Sequence, residues 1–281
     1  MVQVQERPAL RRGLGTGRRT AWSLAAAAVL CQIPYPLVSG PWRDALTVVG
    51  VVVFCLASVA AAALRHGVRG PLALFTVAGL GGLVVEAVGV RTGFPFGAYH
   101  YTGSLGPSVA GVPVVVPLAW IMMAWPALEA GRVLAGSRKR AGTIAARVRT
   151  AVIGGWALAS WDVFLDPQMV DAGRWVWSDP HPGLPGVEGV PLTNFAGWVA
   201  VSVVMVAALD ATSRRSVRPH AGNGTPGGPA VVLYLWTYAS SVMACLVFFG
   251  RPQVALAGGV LMGLVAVPLA VRVVGAAGRR G

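Results

Sequence analysis

The stretch ALTVVGVVVFCLASVAAAAL, residues 45–64, is twenty residues long and contains no charged side chain. About 20 residues of helix span the ~30 Å hydrocarbon core of a bilayer, so this stretch has the length and character of a transmembrane helix. Comparable apolar stretches lie at 21–38, 72–90, 112–134, 150–165, 191–209, 230–249 and 254–275. The sequence therefore predicts an all-α polytopic membrane protein with about eight transmembrane helices.

The composition of the whole chain agrees with this fold class. Of its 281 residues, 55% are hydrophobic and only 12% are charged, and the mean hydropathy is +0.65. Soluble domains carry about 25% charged residues, so a soluble or disordered chain is excluded. Cys31, Cys55 and Cys245 provide neither a disulfide framework nor a metal-ligand spacing. We expect one transmembrane domain at 21–275 between a basic N-terminal tail at 1–20 and a C-terminal tail at 276–281.

The net charge of +13 is distributed unevenly along the chain. Nineteen of the 23 basic residues lie in the two termini and the even-numbered connections, and four lie in the odd-numbered ones. This alternation follows the positive-inside rule, so both termini are predicted to be cytoplasmic and no nucleic-acid partner is needed to explain the charge. A single lysine among 22 arginines indicates a GC-rich bacterial genome, which predicts the bacterial cytoplasmic (inner) membrane as the location.

Three carboxylates lie where predicted helices lead into the outer connections: Glu86, Asp162 and Asp166. An ionisable residue within a membrane is costly and marks a candidate functional site. Asp162 and Asp166 are four residues apart, so a continuing helix would place them on one face. Structural roles remain open for each: pairing with Arg91 for Glu86, tethering the next loop for Asp162, and forming a turn before Pro167 for Asp166.

Other polar residues favour structural interpretations. Glu129 and Asp210 lie beside arginines at predicted cytoplasmic helix ends, where we expect solvated ion pairs. His100 lies between two tyrosines of an outer loop, where it could shuttle protons or simply pack.

An internal repeat relates the two long outer connections, residues 91–113 and 166–191. Tyr99 follows Glu86 by 13 positions, and Trp175 follows Asp162 by 13 positions. Farther on, GVPVVVPLAW at 111–120 aligns with GVPLTNFAGW at 189–198. The units, about 72–134 and 150–209, pair helices 3–4 with helices 5–6, and such parallel repeats are related by an axis along the membrane normal. We therefore expect Glu86 and Asp162 to be equivalent and to face one cavity.

This pattern predicts an apolar pocket in which two carboxyl groups take different roles. One stays protonated as a general acid and the other stays ionised to orient a water, while aromatic faces stabilise a carbocation. No nucleotide, metal or nucleophile motif is present, so we expect alkene protonation without cofactor or metal. The candidate catalytic residues are Glu86, Asp162 and Asp166. The candidate substrate-binding residues are Tyr99, His100, Tyr101, Trp120, Trp161, Trp175, Trp177, Asn194 and Trp198; for the tryptophans, an interfacial aromatic belt is the alternative.

The motifs GFPFGAYHYTGSLGP (93–107) and WDVFLDPQMVDAGRWVW (161–177), each followed by its Gly-Val-Pro helix, resemble those of a known family. They are similar to the CruF-type membrane carotenoid hydratases, the bisanhydrobacterioruberin and γ-carotene 1′,2′-hydratase family, over residues 70–210. The resemblance implies a carotenoid substrate and addition of water across the terminal isoprenoid double bond of an acyclic end. It supplies no catalytic assignment, so the roles above rest on chemistry alone.

Two other functions remain open at this point. A proton-initiated membrane terpene cyclase would use the same acid but capture the cation with a second alkene. A transporter of lipids or small molecules would also suit parallel repeats and intramembrane acids, although the carboxylates lie near one face only.

Overall fold

The computed structural model describes residues 7–136, 143–214 and 228–278, which form a bundle of eight long helices. The helices are α1 (Arg7–Gln32), α2 (Gly40–His66), α3 (Arg69–Thr92), α4 (Val115–Ala135), α5 (Ile144–Asp171), α6 (Leu192–Arg214), α7 (Pro229–Val247) and α8 (Pro252–Ala277). The prediction of an all-α protein with about eight helices is confirmed. An even number of crossings returns the two ends of the bundle to one side, and the cytoplasmic assignment of that side stays a prediction.

Within the part of the chain that the structure describes, five helices are long and apolar enough to cross a membrane: α2, α3, α6, α7 and α8. The other three pack directly against them: α1 contacts α2, α4 contacts α2, and α5 contacts α6. From Trp120 to Gly131, α4 is buried at every position. A helix enclosed by its neighbours need not present an apolar surface to lipid, so its polar residues are tolerated.

Helix boundaries differ from the predicted spans at two instructive places. α1 begins at Arg7, within the predicted tail, and ends at Gln32 before Pro34 and Pro36. Proline disfavours helical backbone in the residue before it, which explains that end. α5 continues through Pro167 to Asp171. The expectation that Asp166 forms a turn is therefore wrong, because Asp166 lies within a continuous helix.

Small residues allow the central helices to approach closely. A Cβ atom added at Gly155 of α5 would lie 2.6 Å from Cα of Val203 on α6. One added at Gly131 of α4 would lie 2.6 Å from the carbonyl oxygen of Thr150 on α5. Close backbone approach at small residues is the usual way membrane helices pack. These contacts fix α4, α5 and α6, the helices that carry much of the site.

The two outer connections fold together over one end of the bundle. β1 (Tyr99–Tyr101) pairs antiparallel with β4 (Trp175–Trp177), and β2 (Ser108–Val109) forms a hairpin with β3 (Val112–Pro113). In the first pair Tyr99 lies opposite Trp177 and Tyr101 lies opposite Trp175. This crossed register is the one that the expected two-fold relationship between the repeat units would produce. We call the β1–β4 pair the aromatic ribbon.

At the opposite end of the bundle, α2, α4 and α6 meet in a buried charge cluster. Glu129 accepts hydrogen bonds from Arg65 and, at 2.9 Å, from Arg132. Arg132 also donates to Asp210 at 2.9 Å and to Ser213 at 2.6 Å. Glu129 is 6% exposed and Asp210 is 2% exposed. The expectation of solvated ion pairs is therefore wrong, because three helix ends converge and exclude water from these charges.

Candidate active site

A cavity lies beneath the aromatic ribbon. Seven of the predicted aromatic residues line it: Tyr99, Tyr101, Trp120, Trp161, Trp175, Trp177 and Trp198. Glu86, Asp166 and Asn194 also line it, and all three side chains are buried in a largely apolar wall. Because the rest of the wall is aromatic and aliphatic, the cavity suits an apolar ligand or one end of a longer one.

Glu86 lies in α3 and is 4% exposed. Its carboxylate accepts three hydrogen bonds: from the Tyr99 hydroxyl at 2.5 Å, from the Tyr101 hydroxyl at 2.9 Å and from Nε1 of Trp120 at 3.0 Å. Gly82, one turn earlier, makes room for the indole, since an added Cβ there would lie 2.7 Å from Cγ of Trp120. The repeat spacing thus places two ribbon hydroxyls and one helix indole on a single carboxylate.

The two tyrosines that contact Glu86 are firmly protonated. Burial, and next the charge of Glu86, raise the pKa of the Tyr99 hydroxyl above its usual range, and the same causes act on Tyr101. A hydroxyl held in its neutral form remains a hydrogen-bond donor. Glu86 therefore faces donors that do not lose their protons in the ordinary pH range.

Asp162 and Asp166 form a second carboxyl group pair on α5. Nδ2 of Asn194 donates to Oδ2 of Asp162 at 2.9 Å and to Oδ2 of Asp166 at 2.5 Å. Two carboxyl groups that share one nitrogen lie within a few ångströms of each other, as the four-residue spacing predicts. We call these two residues the dyad. Within the described residues, no lysine or arginine forms an ion pair with either of them.

The two members of the dyad face different spaces. Asp166 lines the cavity with Glu86, and the two carboxyl groups interact electrostatically across it. Asp162 is 2% exposed and lies behind Asp166, outside the cavity wall. We expected Glu86 and Asp162 to share the cavity. Glu86 does line it, but its partner there is Asp166 and not Asp162. The rotation of α5 directs Asp166, one turn later, toward Glu86.

The aromatic side chains form a connected wall. Trp120 and Trp198 stack with ring centroids 4.1 Å apart and planes 8° apart, and Trp161 meets Trp198 edge-on at 6.4 Å. Tyr99 packs on Trp177 at 5.6 Å across the ribbon. Electron-rich ring faces on several sides of an apolar cavity are suited to a positively charged centre.

His100 and Phe96 are the other differences from the predicted site. His100 is exposed because alternate residues of a strand point to opposite faces, and its neighbours Tyr99 and Tyr101 take the inner one. It does not line the cavity, so the structure does not bring it together with the other predicted site residues. Phe96 lines the cavity and was missed, although its place in the Phe-Pro-Phe motif before Tyr99 was a usable signal.

The partly buried section of the cavity wall comes mainly from α2 and α4. Thr47 and Val51 of α2 and Val116 and Ala119 of α4 line the cavity and are only partly buried. The adjacent Val52 is 38% exposed on the outside of α2. The cavity is therefore least enclosed on the side of α2 and α4.

No three His, Cys, Asp or Glu side chains converge to hold a metal ion within residues 7–136, 143–214 and 228–278. The acid–aromatic constellation is thus made of Glu86, the dyad, Asn194 and the surrounding rings.

These features define a multi-pass helical membrane protein with an acid–aromatic site. Similarity to known proteins identifies its family. Residues 46–274 match the family described as carotenoid biosynthesis protein, and the chain belongs to that family. Over 127 residues it is 32% identical to bisanhydrobacterioruberin hydratase of Haloarcula japonica. The aligned residues cover 45% of this chain and 40% of that protein. The match thus spans less than half of that curated relative's length. No solved structure matches the chain. The resemblance inferred from the motifs is confirmed.

Proposed function

We propose that the protein adds water to the terminal isoprenoid double bond of an acyclic carotenoid end, as a hydro-lyase acting in the hydration direction without a cofactor. One observation carries this proposal: a single apolar cavity presents two carboxyl groups in different settings, Glu86 among three hydrogen-bond donors and Asp166 in contact with a second carboxyl group. The family and the hydratase named above support the substrate class and the reaction.

Asp166 is the proposed general acid. Two buried carboxylates in contact, without a cation, cannot both be ionised at low cost, so the dyad holds one proton between its members. Because Asp166 faces the cavity, the proton is delivered from its carboxyl group to the less substituted alkene carbon. The electron pair of the double bond forms the new C–H bond, and the other carbon becomes a tertiary cation.

Glu86 is the proposed base. Hydrogen bonds to a charged group contribute about 1.5–3 kcal/mol each, so the three donors offset part of the cost of burying an ionised carboxylate. An ionised Glu86 attracts the cation and orients a water toward it. The water oxygen forms the C–O bond and its proton passes to Glu86, so that one alkene and one water give one tertiary alcohol.

The stacked Trp120 and Trp198 and the ribbon rings are proposed to stabilise the cation and to exclude bulk water. Cation–π attraction reaches about 2 kcal/mol or more per ring in a desolvated site. The partly buried wall at α2 and α4 is the proposed route for the rest of the polyene, which arrives through the bilayer and is longer than the cavity beneath the ribbon.

The decisive experiment is expression in a host that accumulates an acyclic carotenoid such as lycopene, in water containing labelled oxygen. Hydration adds the mass of one water and incorporates the label. A cyclase product has the mass of its substrate and no label, and an unchanged pigment pool contradicts both enzymatic functions. Glu86→Gln in the same host is the control for background chemistry.

A further inference from the structure

A second, smaller space lies on the other side of the dyad from the cavity. Asp162, Asp166 and Asn194 line it from below, and Val187 and Val190 of the second outer connection cover it. Asp166 and Asn194 line both spaces, whereas Asp162 lines only the small one. The dyad is thus a partition between an apolar cavity and a polar-floored recess.

Asp162 has unused hydrogen-bonding capacity in this recess. Its side chain hydrogen-bonds to Asp166 and its Oδ2 accepts from Asn194, but no amide, indole or hydroxyl group of the described residues donates to its buried Oδ1. Buried polar atoms nearly always have a partner, which is often an ordered water. The recess has room for about one water molecule, and three polar side chains line one part of its otherwise apolar wall, which gives a buried water the partners that it needs.

The recess lies directly beneath the outer surface. Pro185, Gly186 and Glu188 of the covering connection are exposed. The cavity, in contrast, is walled by aromatic and aliphatic groups, and a bound polyene would separate Asp166 from water on that side. A proton lost from the dyad is therefore more easily replaced through the recess.

We infer that the recess binds a water molecule from the outer side, and that this water returns a proton to Asp162, which passes it to Asp166. This inference rests on the proposed function. In each turnover the dyad gives one proton to the alkene carbon and regains one from the recess, while Glu86 takes one from the attacking water and later releases it. The sum remains one alkene plus one water to one alcohol. Asp162 acts as a relay residue, since it does not face the substrate.

An infrared exchange experiment tests the water site without measuring turnover. A protonated carboxyl group has a C=O band that shifts when its proton exchanges in D₂O. We expect the purified protein in detergent to show such a band, Asp162→Asn to remove or displace it, and the wild-type band to shift rapidly on transfer into D₂O. A protein without this band has no shared proton, and the inference fails.

Two conservative variants fill the recess from different elements. Val163→Ile on α5 and Val187→Ile on the covering connection each add one methylene, and neither residue lines the cavity. Since the recess holds about one water, we expect each to slow the infrared exchange by about tenfold or more. Val265→Ile, at a buried position of α8 that lines neither space, is the matched control and leaves the exchange rate unchanged.

Kinetics then separates the relay from the chemistry. With enzyme in excess, the first turnover of the filled variants should match wild type, because the dyad is already loaded. Their steady-state kcat should fall by about the same factor as the exchange rate while KM is unchanged. Equal first and later turnovers with slowed exchange, or unaltered exchange in both filled variants, would overturn the relay but leave the hydratase proposal intact. Absence of hydrated product from wild type would instead overturn the hydratase proposal and, with it, the catalytic use of the relay.

Discussion

Trp120 and Trp198 stack face to face across the centre of the site, with ring centroids 4.1 Å apart. They hold the same position in two sequence units, each being the tenth residue of a motif that begins Gly-Val-Pro. The ribbon repeats this relationship, because Tyr99 and Tyr101 pair with Trp177 and Trp175 in crossed order. Side chains at corresponding positions of the two sequence units therefore meet in pairs, yet their polar partners differ: Trp120 donates to Glu86, and within the described residues no carboxylate accepts from Trp198.

The stacked pair provides a matched comparison of two tryptophans. Trp120→Phe keeps an aromatic ring but removes the Nε1 donor to Glu86, so we expect kcat to fall by about tenfold, the equivalent of ~1.4 kcal/mol for one hydrogen bond to a charged group. Trp198→Phe removes no donor to Glu86 and should reduce kcat less. The check is product formation by both purified variants at saturating carotenoid. Equal losses would mean that the Trp120–Glu86 hydrogen bond has no catalytic role.

The carboxyl groups should rank in the order of their exposure to the cavity. Glu86→Gln and Asp166→Asn each remove a group that faces the substrate, so we expect turnover to fall by at least ~10²-fold, the usual scale for acid–base groups. Asp162→Asn, which alters the dyad from behind, should be less severe. The measurement is the rate of product formation, divided by the amount of protein that remains folded in detergent.

Asp179→Asn is the control for this series, since it makes the same chemical change at an exposed outer carboxylate. It should keep the wild-type rate. A fully active Asp166→Asn variant would leave the proposed mechanism without its acid. Activity should also persist in excess chelator, because no step of the proposed reaction uses a metal ion.

Part of this site could be predicted from the sequence, because the spacing between the carboxylates and the aromatic pairs is the same in both outer connections. Glu86 and the aromatic pairs could be assigned from their distances to helix ends and to each other. The choice between Asp162 and Asp166 could not, since it depends on how α5 rotates against α6 and on the helix continuing through Pro167. The charge cluster was missed for a similar reason: burial of Glu129 arises only when three helix ends converge.

The route by which the substrate enters can be tested by comparing substitutions on two faces of α2. Val51 lines the cavity, and its neighbour Val52 is exposed on the outside of the helix. Val51→Trp should obstruct the proposed route and raise KM by about tenfold or more, which corresponds to a loss of at least ~1.4 kcal/mol of binding. Val52→Trp adds the same bulk toward lipid and should leave KM unchanged. A reversed order would place the route elsewhere.

The membrane orientation makes a separate prediction for exposed loop positions. With the three native cysteines replaced, single cysteines at Ser104 and Asp179 should react with an impermeant thiol reagent in intact cells, because the arginine distribution places these loops outside. The corresponding cytoplasmic positions, Ser137 and Asn223, lie outside the described residues and should react only after permeabilisation. Labelling of Asp179→Cys only after permeabilisation would invert the topology.

The buried charge cluster should govern stability and leave the chemistry largely unchanged. Asp210→Asn removes one partner of Arg132 at a site that is 2% exposed, and breaking a buried pair typically costs about 3–5 kcal/mol. Asp44→Asn is the matched control, because it breaks the pair between Arg174 and an Asp44 side chain that is 43% exposed, where the cost should stay below about 1 kcal/mol. Denaturant unfolding in mild detergent measures the free energy of unfolding of both variants.

We expect the surviving folded fraction of Asp210→Asn to turn over at the wild-type rate, because the cluster lies at the end of the bundle opposite the cavity. A loss of kcat in that folded fraction, or a larger destabilisation by Asp44→Asn, would contradict this separation of stability from catalysis.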